Sequence, residues 1–472
     1  MLTETSATSN GDNDNADDVA QTLYAKREKI YPREVHGWYA GLRVTAVIVL
    51  LGLFYGTCWL QWDGHQAILW DLPARKFYVG PWIFWPQEFY YLTALLVIAA
   101  LSLFLFTALA GRLWCGYACP QTVWTEIFMW MERAIEGDRP KQMKLDKAPW
   151  SLRKLRIKAT KHAVWIAFAL FTGYTFVGYF TPIRELTNEI LTGSIGGWAT
   201  FWVLFYGFAT YGNAGWMREQ VCLYMCPYAR FQSAMFDDNT LIVAYDESRG
   251  EPRGSRKRGS DPKALGLGDC IDCTMCVQVC PTGIDIRKGL QYECIGCSAC
   301  IDVCNDVMGK VGYDPGLIRY TTQNAIDGKA TRVLRPRLFI YAALLATVVG
   351  LLAWSLSERV PLELDVMRDR NSLYRENAEG RIENVYTLSL MNMDRVAHEY
   401  AVSVSGIPGI KLEMDTDRLA LASGEILTFP VRVNADEYEL NAQSSDIEFE
   451  VHVLDAAGFD AREEARFIGP RP

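Results

Sequence analysis

Five uncharged, apolar runs divide the chain: 44–62, 89–111, 163–183, 190–217 and 338–356. Each has about 19 residues or more, the length at which a helix crosses a bilayer. A buried helix of a soluble protein is also apolar, but five such runs in one chain predict a five-helix α-helical transmembrane domain. Gly173, Gly178, Gly207 and Gly212 would let helices approach closely in lipid. Beyond residue 360 the period changes to two. The stretches 384–393, 400–405, 426–433 and 447–454 alternate, with turn residues such as Gly406, Pro408, Gly409 and Gly424 between them. That pattern predicts a C-terminal all-β, immunoglobulin-like sandwich over 360–472. Residues 1–30 begin acidic and Asn-rich, and read as a disordered N-terminus with no signal-peptide pattern. Residues 31–245 read as a membrane domain holding four of the spans. The segment 246–269 is polar and rich in Gly, Pro and Ser, and reads as a linker within a 246–337 module.

Charge orients these parts. From Glu358 onward there are 23 acidic against 12 basic residues, whereas the chain before it is slightly basic. Neither part is basic enough for a nucleic-acid partner. The segment between the second and third runs, 112–161, has eleven Lys and Arg, whereas the loop between the third and fourth has only Arg184. The positive-inside rule places 112–161 in the cytoplasm. The N-terminus and 246–337 then lie on the same side, and 360–472 lies in the periplasm of a bacterial inner-membrane protein. Cysteine usage agrees: none of the 13 falls in the outer domain.

The candidate chemistry lies in those cysteines. Eight of them fall in the 35 residues 270–304, as Cys-x2-Cys-x2-Cys-x3-Cys written twice. Three closely spaced thiolates serve one iron–sulfur cube, and the fourth reaches the other. This predicts a cytoplasmic, bacterial-type 2[4Fe–4S] ferredoxin module. Cluster one falls to Cys270, Cys273, Cys276 and Cys304, and cluster two to Cys280, Cys294, Cys297 and Cys300. Zinc sites have no use for the third cysteine of each run. Pro281 follows the first run, but Asn305 stands where the second proline is expected.

Two further pairs match each other: Cys115/Cys119 and Cys222/Cys226, both Cys-x3-Cys-Pro, both after an apolar run and an arginine (Arg112, Arg218). Spacing of i and i+4 on a helical turn would present both thiolates on one face. The arginines would lower their pKa values. Such thiolates suit Cu(I), iron–sulfur or zinc, and spacing alone does not choose. Cys58 reads as packing, and the pair Met391/Met393 as core. No paired histidines lie inside the runs to hold a haem.

The stretches 71–78 (DLPARKFY), 84–92 (FWPQEFYYL), 105–126, 226–237 and the double cysteine motif resemble the CcoG/FixG/RdxA family of cytochrome oxidase accessory proteins. The resemblance runs from about residue 30 to the end. It implies a polyferredoxin that reduces Cu(II) to Cu(I) for the copper centre of a cbb3-type oxidase, a cupric reductase with Cys115, Cys119, Cys222 and Cys226 as the copper or redox site. It also implies partners: an unidentified cytoplasmic electron donor, and oxidase subunits or copper chaperones at the periplasmic domain. The chain is open to homodimerisation. Two other functions fit the same residues. One is a quinol dehydrogenase-type carrier for a respiratory reductase; the other is a non-catalytic assembly scaffold.

Overall fold

The computed structural model describes residues 29–256, 262–370, 372–394, 396–440, 442–455 and 459–470. The acidic N-terminal stretch and linker residues 257–261 lie outside them. The chain divides into two units. One comprises Met1–Gly56, Leu103–Val177 and Ile195–Phe339; the other comprises Thr57–Ser102, Gly178–Ser194 and Ile340–Pro472.

The helices, in chain order, begin with α1 (Trp38–Thr57), α2 (Phe89–Ala110), α3 (Leu113–Tyr117), α4 (Pro120–Glu136) and α5 (Arg139–Lys147). There follow α6 (Leu152–Val177), α7 (Ile183–Thr192), α8 (Gly197–Thr210) and α9 (Pro227–Ala234). The last five are α10 (Glu247–Gly250), α11 (Met275–Gln278), α12 (Ala299–Val311), α13 (Gln323–Ile326) and α14 (Pro336–Ser357). Among the described residues three helices are long and apolar enough to cross a membrane: α1, α2 with its 3-10 lead-in from Pro86, and α14.

The other two expected runs fold differently from their apolar limits. Helix α6 begins at Leu152, inside the basic segment, because its lysines find carboxylates: Lys158 reaches Glu136 at 2.8 Å, and Lys161 reaches Glu132 at 3.3 Å and Glu136 at 2.9 Å. The run 190–217 is cut at its start. Gly193, at φ +71°, ends α7, and α8 begins only at Gly197. Helix α8 then continues into a π-helical stretch, Tyr211–Met217. The first run is displaced as well: α1 stops at Thr57, and the chain turns into a small hairpin, β1 (Gln61–Trp62) with β2 (His65–Gln66). Helices α6 and α8 cross closely. A Cβ on Gly173 would stand 2.3 Å from the Val203 carbonyl oxygen, so only glycine fits there. Gly207 faces the same crossing, whereas Gly212 faces open space.

In the first unit, strands β6 (Ile242–Tyr245) and β7 (Ile318–Thr321) pair antiparallel beside the cysteine-rich loops. Their buried Val243, Tyr245 and Ile318 pack with Ile301 and Met308 of α12. Helix α12 also closes α1. The Asp302 carboxylate accepts from the backbone N–H of Tyr39 at 3.2 Å and of Ala40 at 2.7 Å. These are donors that the first helical turn cannot satisfy itself.

The second unit holds a three-stranded sheet that the periodicity did not reveal: β3 (Ile68–Asp71), β4 (Lys76–Val79) and β5 (Trp82–Phe84). It also holds the sandwich. One sheet has the order β12-β14-β10-β8 (Lys411–Glu413, Ile426–Ala435, Ile382–Asn392, Leu362–Arg368), with β9 (Arg375–Glu376) also on β10. The other has the order β13-β11-β15-β16 (Leu419–Leu421, His398–Ser405, Ser444–Val453, Asp460–Ile468). Alternate residues Tyr386, Leu388 and Leu390 of β10 meet Phe449 and Val451 of β15 in one core, as a two-residue period requires. Met391 and Met393 are buried against Trp85 and Ile83. Cys58 is fully buried.

Candidate functional site

The eight clustered cysteines surround two small cavities. Cys270, Cys273, Cys276 and Cys304 line one, closed by Tyr245, Met308 and Ile318. Cys280, Cys294, Cys297 and Cys300 line the other, with Cys276 also at its wall. Each cavity thus gathers three cysteines of one run and the last of the other, the partition expected from the spacing. Local backbone brings this about. Thr274 (φ +56°) and Ser298 (φ +62°) stand at matching places after the second cysteine of each run, and Asp272 (φ +52°) matches Gly296 (φ +67°). Left-handed residues curl each loop around its cavity, and α11 or α12 starts directly after them. Non-glycine residues hold such angles at a cost that surrounding structure must offset.

The thiols fit a cationic cofactor. Burial pushes Cys276 up to about 11 and both Cys294 and Cys304 up to about 12, with neighbouring thiols adding to the effect. Cys297 and Cys300 are raised in the same way. Thiolates in such surroundings persist when iron supplies the compensating positive charge. Among the described residues, the one group of three ligand side chains whose ligand atoms lie within 4.8 Å of one another is Glu450, His452 and Asp460, on the sandwich surface.

The second cysteine set comes together in the same unit. Neither pair sits on a single helical turn, contrary to the i, i+4 expectation. Cys115 lies in α3, whereas Cys119 is extended (φ −61°, ψ 128°) and precedes Pro120, the first residue of α4. Cys222 lies in a π-helical turn, Val221–Met225, and Cys226 is extended before Pro227, the first residue of α9. The proline restarts the helix in both cases. In both, the second cysteine's N–H bonds back five residues: Cys119 to Trp114 at 2.9 Å, and Cys226 to Val221 at 2.8 Å. The two motifs therefore share one local build. They are also close enough to act on each other's charge, since Cys119, Cys222 and Cys226 all raise the Cys115 thiol.

The arginines behave differently from the sequence expectation. Burial dominates and pushes Cys115 up to about 12 and Cys222 up to about 11. Arg112 opposes both shifts but does not outweigh burial. Arg218 turns away: its Nη2 donates to Glu132 Oε2 at 2.7 Å, and buried Lys161 and exposed Lys29 reach the same carboxylate. Burial works against the Glu132 carboxylate, but Arg218, Lys29 and Lys161 outweigh it and bring the carboxyl down to about 2.

The feature that spacing could not reveal is where these four thiols lie. A Cβ on Gly116 would stand 2.8 Å from the Gly296 carbonyl oxygen and 3.0 Å from Cys297 Cα. Cys115 packs against the cluster of Val279, Ile295 and Cys297. Tyr117 Oη bonds Ser298 Oγ at 3.2 Å, and Tyr292 Oη donates to the Leu223 carbonyl at 2.5 Å. Both Cys-x3-Cys-Pro segments are thus fastened to the loop that supplies the second cavity.

Comparison with known proteins places these observations. A family described as "4Fe-4S dicluster domain" matches residues 217–323, and "4Fe-4S binding domain" matches 92–137. A third, "IG-like fold at C-terminal of FixG, putative oxidoreductase", matches 352–470. The chain is 40% identical to Protein RdxB of Cereibacter sphaeroides, over 96% of this chain and 98% of that one. It is 40% identical to the nitrogen fixation protein FixG of Rhizobium meliloti, over 85% and 83% of the two chains. Protein RdxA of Cereibacter sphaeroides is also 40% identical, over 88% and 89%. With that identity held across most of its length, this chain belongs to the FixG/RdxA/RdxB family of iron–sulfur electron-transfer proteins.

Proposed function

We propose that the protein reduces Cu(II) to Cu(I) at the membrane for maturation of the copper centre of a cbb3-type oxidase. One observation supports this above others: Gly116 and Cys115 lie directly against Gly296 and Cys297, so the four thiols adjoin the second cluster site. Clusters held by the eight cysteines assigned above would supply one-electron storage. Cys115, Cys119, Cys222 and Cys226 take copper as substrate. Cu(II) gains one electron there, and soft thiolates favour the Cu(I) product. Cys119 and Cys226 precede helix N-termini; the N–H groups of Gln121 and Thr122 favour the Cys119 thiolate although burial raises that thiol overall. In the proposed topology α6 and α8 with its π-helical extension complete five spans. The cysteine sites then face the cytoplasm and the sandwich faces the periplasm, where an oxidase subunit or chaperone would dock.

A second reading rests on the match of an iron–sulfur family to 92–137, which contains Cys115 and Cys119. In it the four thiols hold a third cluster and copper is not their ligand. One experiment separates the two. Purified anaerobically, reduced with dithionite and freed of the excess, the protein receives Cu(II) while cluster absorbance and a Cu(I) chelator are followed. The copper reading expects clusters to reoxidise as Cu(I) appears, about eight irons per chain, and slow transfer in the C119S/C226S double variant with iron content unchanged. About twelve irons, falling to about eight in that variant, would instead make the four thiols a cluster site.

A further inference from the structure

A cavity of about 980 Å³ opens in the first unit between the start of α1, α4 and the loop of Cys297. It lies at the large end of the range for small-molecule sites. It is distinct from the two cysteine cavities, yet Cys297 and Cys222 both form part of its wall. Its walls are mainly apolar, with Val44, Met129, Trp130 and Ile295 among them. The polar groups are nearly balanced, four arginines against four carboxylates. The backbone donors at the α1 N-terminus, which would attract a phosphate, are taken by Asp302. Arg43, the one charged residue of α1, donates to the Cys297 carbonyl. An uncharged, ring-shaped ligand arriving along α1 from the bilayer fits these walls better than a nucleotide does.

We infer that this cavity binds the ring of a membrane quinol and is the port through which electrons enter the protein. The inference rests on the electron-carrier reading above and names its donor. The oxidation balances within the site. Both quinol O–H bonds break and both ring carbons become carbonyls. Two electrons leave singly, one to each of the two clusters proposed above, and two protons leave to basic side chains. Glu126 and exposed His36 line the cavity and can take them. Glu126 is held in place by Trp130 Nε1 at 2.8 Å. Cys297, in the wall, carries the link to the second cluster site.

Gly41 offers the test, because it lines the cavity and nothing lies within 4 Å of a Cβ added there. The full chain in lipid nanodiscs, with and without clusters, is titrated with decylubiquinone, and quinone retained per chain is measured. We expect about one quinone per wild-type chain and at least about tenfold weaker binding in Gly41→Phe, and likewise in Thr45→Phe one turn on. Cu(II) reduction by protein that has been reduced with dithionite and freed of the excess should be unchanged in both. E126Q should keep quinone binding and slow reduction of the clusters by decylubiquinol. No retained quinone in the wild type, or equal binding in both filled variants, would overturn the inference. If quinone binds as expected but dithionite-reduced protein leaves Cu(II) untouched, the cavity assignment stands and the copper reading falls.

Discussion

Single residues decide how closely the two cysteine systems approach. Gly116 is one: its missing side chain lets α3 lie on the Gly296–Cys297 backbone. The neighbour is backbone, so no side-chain rotation relieves a substitution. Gly116→Ala should destabilise the protein by about 1–3 kcal/mol, as overpacking generally does. It should slow Cu(I) production while leaving iron content near wild type. Anaerobic Cu(II) reduction beside an iron assay reads both. A rate equal to wild type would mean that the close approach does not matter to transfer. At the same scale the sequence was a poor guide to electrostatics. An arginine before each cysteine pair was visible, but Arg218 answers to Glu132, 86 residues away in the chain. That preference depends on packing no local window contains.

Among elements, α4, α6 and the segment leading to Arg218 are held by one buried carboxylate. Glu132 meets Arg218, Lys161 and Lys29. Removing one side of a buried ion cluster leaves uncompensated charge, so Glu132→Gln should cost about 3–5 kcal/mol. The pH dependence has a definite sign. The folded carboxyl, at about 2, lies below its ordinary value. Its stabilisation is therefore complete above the ordinary carboxylate range and fades as pH falls through it toward 2. Melting temperatures between pH 7 and pH 3 should fall more steeply for the wild type than for Glu132→Gln; parallel curves would remove Glu132 from the acid response. Element boundaries show what the sequence can and cannot convey. Four strands of the sandwich, β10, β11, β14 and β15, lie within three residues of the alternating stretches, because one face of each is buried and the period is strict; β8, β9, β12, β13 and β16 had no such stretch. The ferredoxin loops were legible for a similar reason, since ligand spacing is a local property. Span limits were less so: α6 extends into the basic segment because Glu132 and Glu136 neutralise its lysines. Strands β3 to β5 are short, and their Trp- and Phe-rich segments carry no clear alternation. The quinol-sized cavity is assembled from four distant segments and had no sequence signature at all.

For the whole molecule, the acidic sandwich and the more basic segments before it are consistent with the proposed placement in different compartments. A reporter fused after Pro472 should be active only in its periplasm-dependent form, and one inserted in the polar linker near residue 258 only in the cytoplasm. The same compartment for both would overturn the proposed five-span topology. Within the first unit, the Asp302 contact joins metal chemistry to the membrane helix. Asp302 lies on α12 between Cys300 and Cys304, and a Cβ on Gly37 would come within 2.4 Å of its carboxyl carbon. Because Asp302 stands on α12 between two of the cysteines assigned to the clusters, a shift of that helix would also shift the carboxylate that closes the start of α1. Loss of that carboxylate would leave the Tyr39 and Ala40 amides without their partner at the start of the first long apolar helix.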